Sequence, residues 1–305
     1  MSKISNYLIL NKMSAIIRFG IAGFSYPDWA GVVYPKPKPK GFEPLSLIAQ
    51  MVDTVEINSS FYAPVTARSA NKWTKLVEEF PDFRLTVKLW QEFTHKPEFR
   101  EDDITTFKKG LERIQASGKL ACLLIQFPQS FRASDMSFDK VKKIAGYFRE
   151  FNLVVEVRHR SWQKQWFLDW LKQAGIGFAN IDQPIFDESI EPNEIITSQI
   201  GYVRLHGRNR ENWFKQDAKV WERYDYLYKR EELLPWLERV KRMAEHCQEL
   251  YVINNNHFQA KGLANALEMK FLFTGKIQRA PERMIQRYSH LKEFCEPMDK
   301  QSSLF

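Results

Sequence analysis

With 305 residues, 44% of them hydrophobic, the chain is long enough for one (β/α)8 barrel of ~250 residues and has ample apolar content for a single core. No run approaches the ~18 apolar residues of a membrane span. Tyr7-Leu8-Ile9-Leu10 is too short for a signal-peptide core, and Cys122, Cys247 and Cys295 lack metal-ligand spacing, so a reducing, cytoplasmic setting is expected. A net charge of +8 admits nucleic acid or a phosphorylated substrate as partner without requiring either.

Residues 1–14 read as an N-terminal extension that carries no chemistry. Short apolar segments then recur at Ile17–Phe24, Thr54–Phe61, Arg84–Trp90, Ala121–Phe127, Leu153–His159, Gly177–Asp182, Gly201–Gly207 and Glu249–Asn255. A helical pattern or a long loop follows each. Trp73, Leu76, Val77 and Phe80 make one amphipathic stripe, and Phe138, Val141, Ile144, Ala145 and Phe148 a second. Leu233, Trp236, Leu237, Val240, Ala244 and Cys247 make a third. Crossovers of helical size imply parallel pairing, and their repetition implies closure into a barrel. The sixth unit is irregular, because 183–199 holds Pro184 and Pro192 and little helical period. The expected architecture is α/β: a single (β/α)8 barrel over 15–278, with a basic, polar C-terminal extension over 279–305.

A strand covered on both faces reads as almost entirely apolar, and several of these do not. With Val55 and Ile57 facing the helices, Glu56 and Asn58 turn inward; the same alternation turns inward Lys88, Gln126, Glu156, Arg158, Arg204 and His206. Asp182 ends the sixth segment, and Asn254 with Asn255 ends the eighth. Unpaired buried charge is costly, so the set is either an ion-pair network or an active site. In the network, Glu56 pairs with Lys88, and Glu156 with Arg158 or Arg204. All of these residues fall in the C-terminal halves of their strands, where barrel active sites are built, and an active site is the expectation. Tyr26, Trp29, Tyr62, His95, His159, Trp162, Arg208 and His257 extend it from the following loops. Aromatics interleaved with cations suit a flat or sugar-like group that carries an anion.

These segments also carry a family resemblance. Gly23-Phe24-Ser25-Tyr26-Pro27-Asp28-Trp29, Asp53-Thr54-Val55-Glu56-Ile57-Asn58-Ser59-Ser60-Phe61-Tyr62, Val87-Lys88 and Thr94-His95 are matching stretches. So are Gln126-Phe127-Pro128, Glu156-Val157-Arg158-His159-Arg160-Ser161-Trp162, Tyr202-Val203-Arg204-Leu205-His206-Gly207-Arg208, Asn255-Asn256-His257 and Asn265-Ala266. In this order they resemble the YecE-like proteins, domain of unknown function 72, with Phe24 standing where that family usually has tryptophan. The resemblance implies a (β/α)8 fold and no particular reaction.

Two chemistries fit the residues. Glu156, Asp182 and His206 are ligand types that could hold a divalent metal and activate water for phosphoester hydrolysis. Asn255 in place of a carboxylate, and crowding by Lys88, Arg158 and Arg204, count against a metal, and no cofactor is favoured. Without one, Arg158, Arg204 and Arg208 clamp phosphate or carboxylate, Glu56 or Glu156 serves as base, and His206 as acid. Lys88 is a Schiff-base nucleophile if desolvated among these cations, its ordinary role being to pair with Glu56. The leading expectation is an enzyme acting on a phosphate-bearing substrate, with nucleic acid among the candidates. A sugar-phosphate or small-anion lyase or isomerase is the alternative, and a non-catalytic nucleic-acid adaptor a third reading. One clue favours DNA: Gln301-Ser302-Ser303-Leu304-Phe305 resembles the Gln-x-x-Leu-Phe peptide with which bacterial replication and repair proteins dock on the sliding clamp.

Overall fold

A computed structural model describes residues 15–298 apart from 216 and 218. Eight parallel strands close into a barrel in sequence order. They are β1 (Ile16–Ala22), β2 (Thr54–Ile57), β3 (Arg84–Lys88), β4 (Leu120–Gln126), β5 (Leu153–Glu156), β6 (Gly177–Asp182), β7 (Ile200–Leu205) and β8 (Glu249–Asn254). Closure is made by β1, which sets Phe19 opposite Val252 of β8 and Gly20 opposite Thr54 of β2. Gly20 is required there, since a Cβ at this position would lie 2.0 Å from the Thr54 carbonyl oxygen. Most crossovers are helical, as parallel pairing demands: Ala67–Leu76, Glu101–Ala116, Asp135–Tyr147, Gln165–Gln173, Arg230–Ala244 and Lys261–Thr274. Thr66 begins the first of these with a reciprocal capping box to Ser69, and Ser134 caps the third on the Ser137 amide. The connection from β6 to β7 contains no helix, in keeping with its irregular sequence. Among the described residues, no helix is long and apolar enough to cross a membrane.

The barrel interior is layered and polar along its axis. Arg18, Tyr251 and Glu249 meet at the N-terminal end, with the Arg18 guanidinium 3.3 Å from Glu249. Above them the Thr86 and Tyr202 hydroxyls lie 3.0 Å apart. Glu56, Glu156 and Arg204 form the layer at the C-terminal end. Outside, the helices bury Phe107, Leu111, Val141, Ile144, Phe167 and Leu237 against the strands.

Two features depart from the sequence reading. β2 ends at Ile57, and a single 3-10 turn, Ser59–Phe61, replaces the expected continuation. The Ser60 hydroxyl lies 2.6 Å from the carbonyl oxygens of both Ile57 and Lys88, so it closes the turn and ties it to β3. The segment beyond Gly275, expected as a polar extension, is folded through Met298. β9 (Gln278–Ala280) pairs in parallel with β10 (Cys295–Pro297), and Met284, Leu291 and Phe294 between them are fully buried in the main core. Phe294 stacks on Phe271 of the last crossover helix, which explains why so polar a stretch folds: a few large apolar side chains have a surface waiting for them. Gln301, Leu304 and Phe305 lie outside the described residues.

Candidate active site at the C-terminal mouth of the barrel

Glu56 on β2 and Glu156 on β5 are the negative charges around which the mouth is built, and both are fully buried. Burial of two carboxylates is tolerable only if each is paired and hydrogen-bonded. Arg204 on β7 does most of this. Its Nε and Nη2 hold Glu56 at 2.8 and 2.5 Å, and its Nη1 holds Glu156 at 2.8 Å. The Tyr202 hydroxyl donates to Glu56 as well, at 2.9 Å. Glu156 also receives the Arg158 Nε at 2.8 Å, and His206 Nε2 stands 3.3 Å from the same oxygen. Burial works to raise the Glu156 carboxyl, but Arg204, Arg158 and His206 outweigh it and hold it well below the usual carboxylate range. The Arg204 guanidinium, despite its burial, is held well above its ordinary value by the two carboxylates.

His206 is inside this network rather than at its edge. Its Nδ1 faces the Asn255 amide nitrogen at 2.9 Å, and its Nε2 lies 3.3 Å from both Glu156 Oε1 and Arg158 Nη2. Burial, and then the Arg158 charge, push its pKa down to about 3. Burial and the Arg158 charge thus oppose the imidazolium that the expected acid role of His206 requires, and the ring packs among Glu156, Arg158 and Asn255.

Lys88, at the end of β3, is the residue the network leaves out. The expected pair with Glu56 does not form, because Arg204 and Tyr202 occupy that carboxylate. The Lys88 ammonium makes no ion pair or side-chain hydrogen bond among the described residues, and it rests 3.7 Å from the centroid of the Phe61 ring. Burial, then the Arg204 charge, bring its pKa down to about 7 against the opposing pull of Glu56 and Glu156. A lysine of this kind is half neutral near physiological pH.

Lys88, Arg158 and Arg204 reach the floor of a cavity of about 420 Å³ at the mouth. Tyr26, Asn58, Tyr62, Asn255 and His257, all named as candidates from the sequence, line it. Tyr26 and His257 stack at 4.3 Å to make one wall, and Tyr62, two-thirds exposed, stands at the rim. Burial moves the His257 pKa to about 4, so this wall is uncharged. Gly23 admits the first loop to the site: its φ is +76°, and an added Cβ would lie 2.2 Å from the Tyr26 hydroxyl. Phe24 lines the cavity at the position where tryptophan is usual in the family resembled.

Other expected site residues are elsewhere. Asp182 faces the helix layer: it accepts from Trp236 at 2.5 Å, from Tyr228 at 3.0 Å and from both Nε and Nη2 of Arg208 at 2.9 and 2.6 Å. Arg208, which also holds Glu232 at 3.1 Å, is thereby closed and does not reach the cavity. In the β6–β7 register Ile181 pairs with Arg204 and Asp182 with Leu205, so Ile181 shares the inward face with Arg204 and Asp182 shares the outward face with Leu205. It follows that Glu156, Asp182 and His206 do not converge as a ligand set, and among the described residues no cluster of His, Cys, Asp or Glu is arranged to hold a metal ion. Trp29 and Trp162 are fully buried packing residues, with their indole nitrogens on the His257 and Phe131 carbonyls. Gln126 is turned to the Phe127 carbonyl, His95 to the Thr94 hydroxyl, and His159 to Ser161 beside a separate shallow cavity with Arg132 and Glu188.

The sequence reading missed Trp221 and Tyr224, which close the cavity from the excursion after β7. A signal was present, since Trp221, Tyr224, Tyr226 and Tyr228 crowd a stretch with no helical stripe of its own.

The protein is 29% identical over 269 residues to the UPF0759 protein YunF of Bacillus subtilis (strain 168), covering 83% of this chain and 93% of that one. The crystal structure of a DUF72 family protein from Thermotoga maritima MSB8 superposes with a TM-score of 0.72 at 30% identity, covering 84% of this chain and 98% of that one. A DUF72 family protein from Enterococcus faecalis V583 superposes with a TM-score of 0.75 at 24% identity, covering 85% and 95%. Residues 18–287, from within β1 to beyond β8, match the family described as "Protein of unknown function DUF72", and the chain belongs to that family.

Proposed function

We propose that the protein is an enzyme acting on a small substrate that bears a phosphate or carboxylate group, in the manner of a lyase or isomerase. The observation that carries the reading is the unpaired Lys88 beside a network in which Arg204 and both carboxylates are otherwise satisfied. Such a network costs folding energy unless complete, and here it is complete without Lys88. The lysine is therefore spare for chemistry. Arg158 adds an anion contact: its Nε is spent on Glu156 and its Nη2 lies near His206, but its Nη1 is free of hydrogen bonds among the described residues. A cavity of about 420 Å³ with aromatic walls is of small-molecule size. A group with a pKa near 7 is suited to take and return a proton at neutral pH.

Calorimetric titration with inorganic phosphate tests the anion site. Wild-type protein is expected to bind, and Lys88→Met and Arg158→Met to bind at least about tenfold more weakly, each having lost one charge-assisted contact. Undiminished binding in both variants, or none in wild type, removes the reading.

A second reading places the protein at DNA, and it rests on Gln301, Leu304 and Phe305. An extended terminal peptide can seat two large apolar side chains in a pocket while its glutamine hydrogen-bonds at the edge. Binding of the full chain to a bacterial sliding clamp, compared with a chain ending at Lys300, decides it; equal affinity from both removes it. The free thiols Cys122, Cys247 and Cys295 fit a reducing, cytoplasmic setting.

A further inference from the structure

We infer that Lys88 is an imine-forming amine, and that the substrate carries a carbonyl group together with its anion: an α-oxo acid or a phosphorylated aldehyde or ketone. This deepens the proposed function and rests on it for the anion.

Lysines inside barrels are ordinarily neutralised by a carboxylate, and two carboxylates stand in the same layer. Both are full. Glu56 accepts from Arg204 and Tyr202, and Glu156 accepts from Arg204 and Arg158 with His206 beside it. The charged groups that bear on Lys88 are thus two guanidinium ions that oppose its protonation, Arg204 on β7 and Arg158 just beyond β5, and two carboxylates that favour it, Glu56 on β2 and Glu156 on β5. His95, from the loop after β3, is itself driven toward neutrality by burial and then by Lys88. The Phe61 face at 3.7 Å also favours the ammonium. Burial and the neighbouring cations prevail over these, and the amine is neutral in a large fraction of molecules near pH 7. Desolvation beside fixed positive charge is the established physical route to a nucleophilic lysine.

The position serves the reaction. Lys88 ends its strand at the cavity floor, with the aromatic side of Phe61 against it and Arg158 sharing the cavity. A substrate anion on Arg158 brings an adjacent carbonyl to the amine. The neutral Nζ attacks the carbonyl carbon, a C–N bond forms as the C=O π bond opens, and the oxygen takes up a proton while nitrogen releases one, through solvent water. The carbinolamine then expels its hydroxyl, protonated, as water, and the nitrogen lone pair closes the C=N bond. Amine, carbonyl and one proton become an iminium ion and water; release of the remaining N–H proton to solvent gives the neutral imine, and nothing is oxidised or reduced. The imine withdraws electrons from the adjacent carbon, which is what a lyase or isomerase of small anions needs.

Reductive alkylation tests this on the full chain. The protein is treated at pH 6.5 with limiting formaldehyde and cyanoborohydride, and in parallel with glyoxylate and cyanoborohydride, and modified lysines are mapped by peptide mass. Lys88 is expected to be alkylated by formaldehyde on the order of 10- to 100-fold faster than the mean of the exposed lysines, because far more of it is neutral. Glyoxylate is expected to raise that preference further, and inorganic phosphate to reduce it. If formaldehyde alkylates Lys88 no faster than the exposed lysines, the imine inference is overturned, even where phosphate binding still depends on Lys88 and Arg158. If Lys88 reacts fast with formaldehyde but glyoxylate brings no added preference and phosphate no protection, the amine stands and the anion site is what fails. Lys88→Met removes the labelled peptide and confirms the assignment.

Discussion

Two arginine–carboxylate centres stand on adjacent strands of this barrel and have opposite characters. The outer one, Asp182 with Arg208, Tyr228, Trp236 and Glu232, ties β6 and the end of β7 to the segment that leads into the helix Arg230–Ala244, and to that helix itself. Every group in it has found a partner within it, and it does not open on the cavity. The inner one, Glu56, Glu156, Arg204 and Arg158, is just as well paired but lies at the floor of the cavity with one additional cation beside it. The lesson is that buried charge alone does not mark a site. Pairing is what stabilises both centres; the surplus group, Lys88, and access to a cavity are what distinguish the inner one.

Removing one central charge from each centre sharpens the contrast. Arg204→Met leaves two buried carboxylates without their common partner and is expected to cost about 3–5 kcal/mol in urea unfolding, with phosphate binding lost as the floor rearranges. A loss under 1 kcal/mol would show that the inner pairs contribute little.

Asp182→Asn is the matching change outside. It removes the charge that Arg208 and Trp236 address, and a loss of about 2–3 kcal/mol is expected, with phosphate affinity unchanged. Weakened phosphate binding in a still-folded Asp182→Asn protein would break the distinction between the two centres.

The smallest effect concerns Lys88 and runs in the opposite direction. Its pKa falls from 10.5 to about 7 on folding, so between those values the unfolded chain holds a proton that the folded chain has released. Stability from this group accordingly rises with pH from about 7 to 10.5, and the cost of charging it is fully present below about pH 7. Lys88→Met is expected to stabilise the protein by on the order of 1–2 kcal/mol at pH 6, the roughly 5 kcal/mol of the full shift being discounted because the side chain is only half-buried, and to flatten the pH dependence of stability up to pH 10. Destabilisation at pH 6 would mean that the lysine has a partner in solution.

Much of the inner centre was legible in the sequence. Glu56, Glu156, Arg158, Arg204 and His206 each interrupt an apolar strand pattern, and strand parity with the C-terminal position sufficed to gather them at one mouth. Asp182 was misplaced because a charge at a strand end carries no mark of the face it occupies; the register that pairs it with Leu205, and not with Arg204, is set only in the folded sheet. Trp221 and Tyr224 went unread because they arrive on an excursion with no periodicity to place them.

By itself, the sequence determined the closed parallel barrel, because alternation and helix-sized crossovers leave few other ways to cover eight apolar strands. It also determined which charges must lie inside. Tertiary structure alone decided how those charges pair. Arg204 reaches both carboxylates because β2, β5 and β7 surround one axis at one height, and its planar fork outcompetes a single ammonium for them. Nothing local to Lys88 could reveal that its obvious partner was already taken.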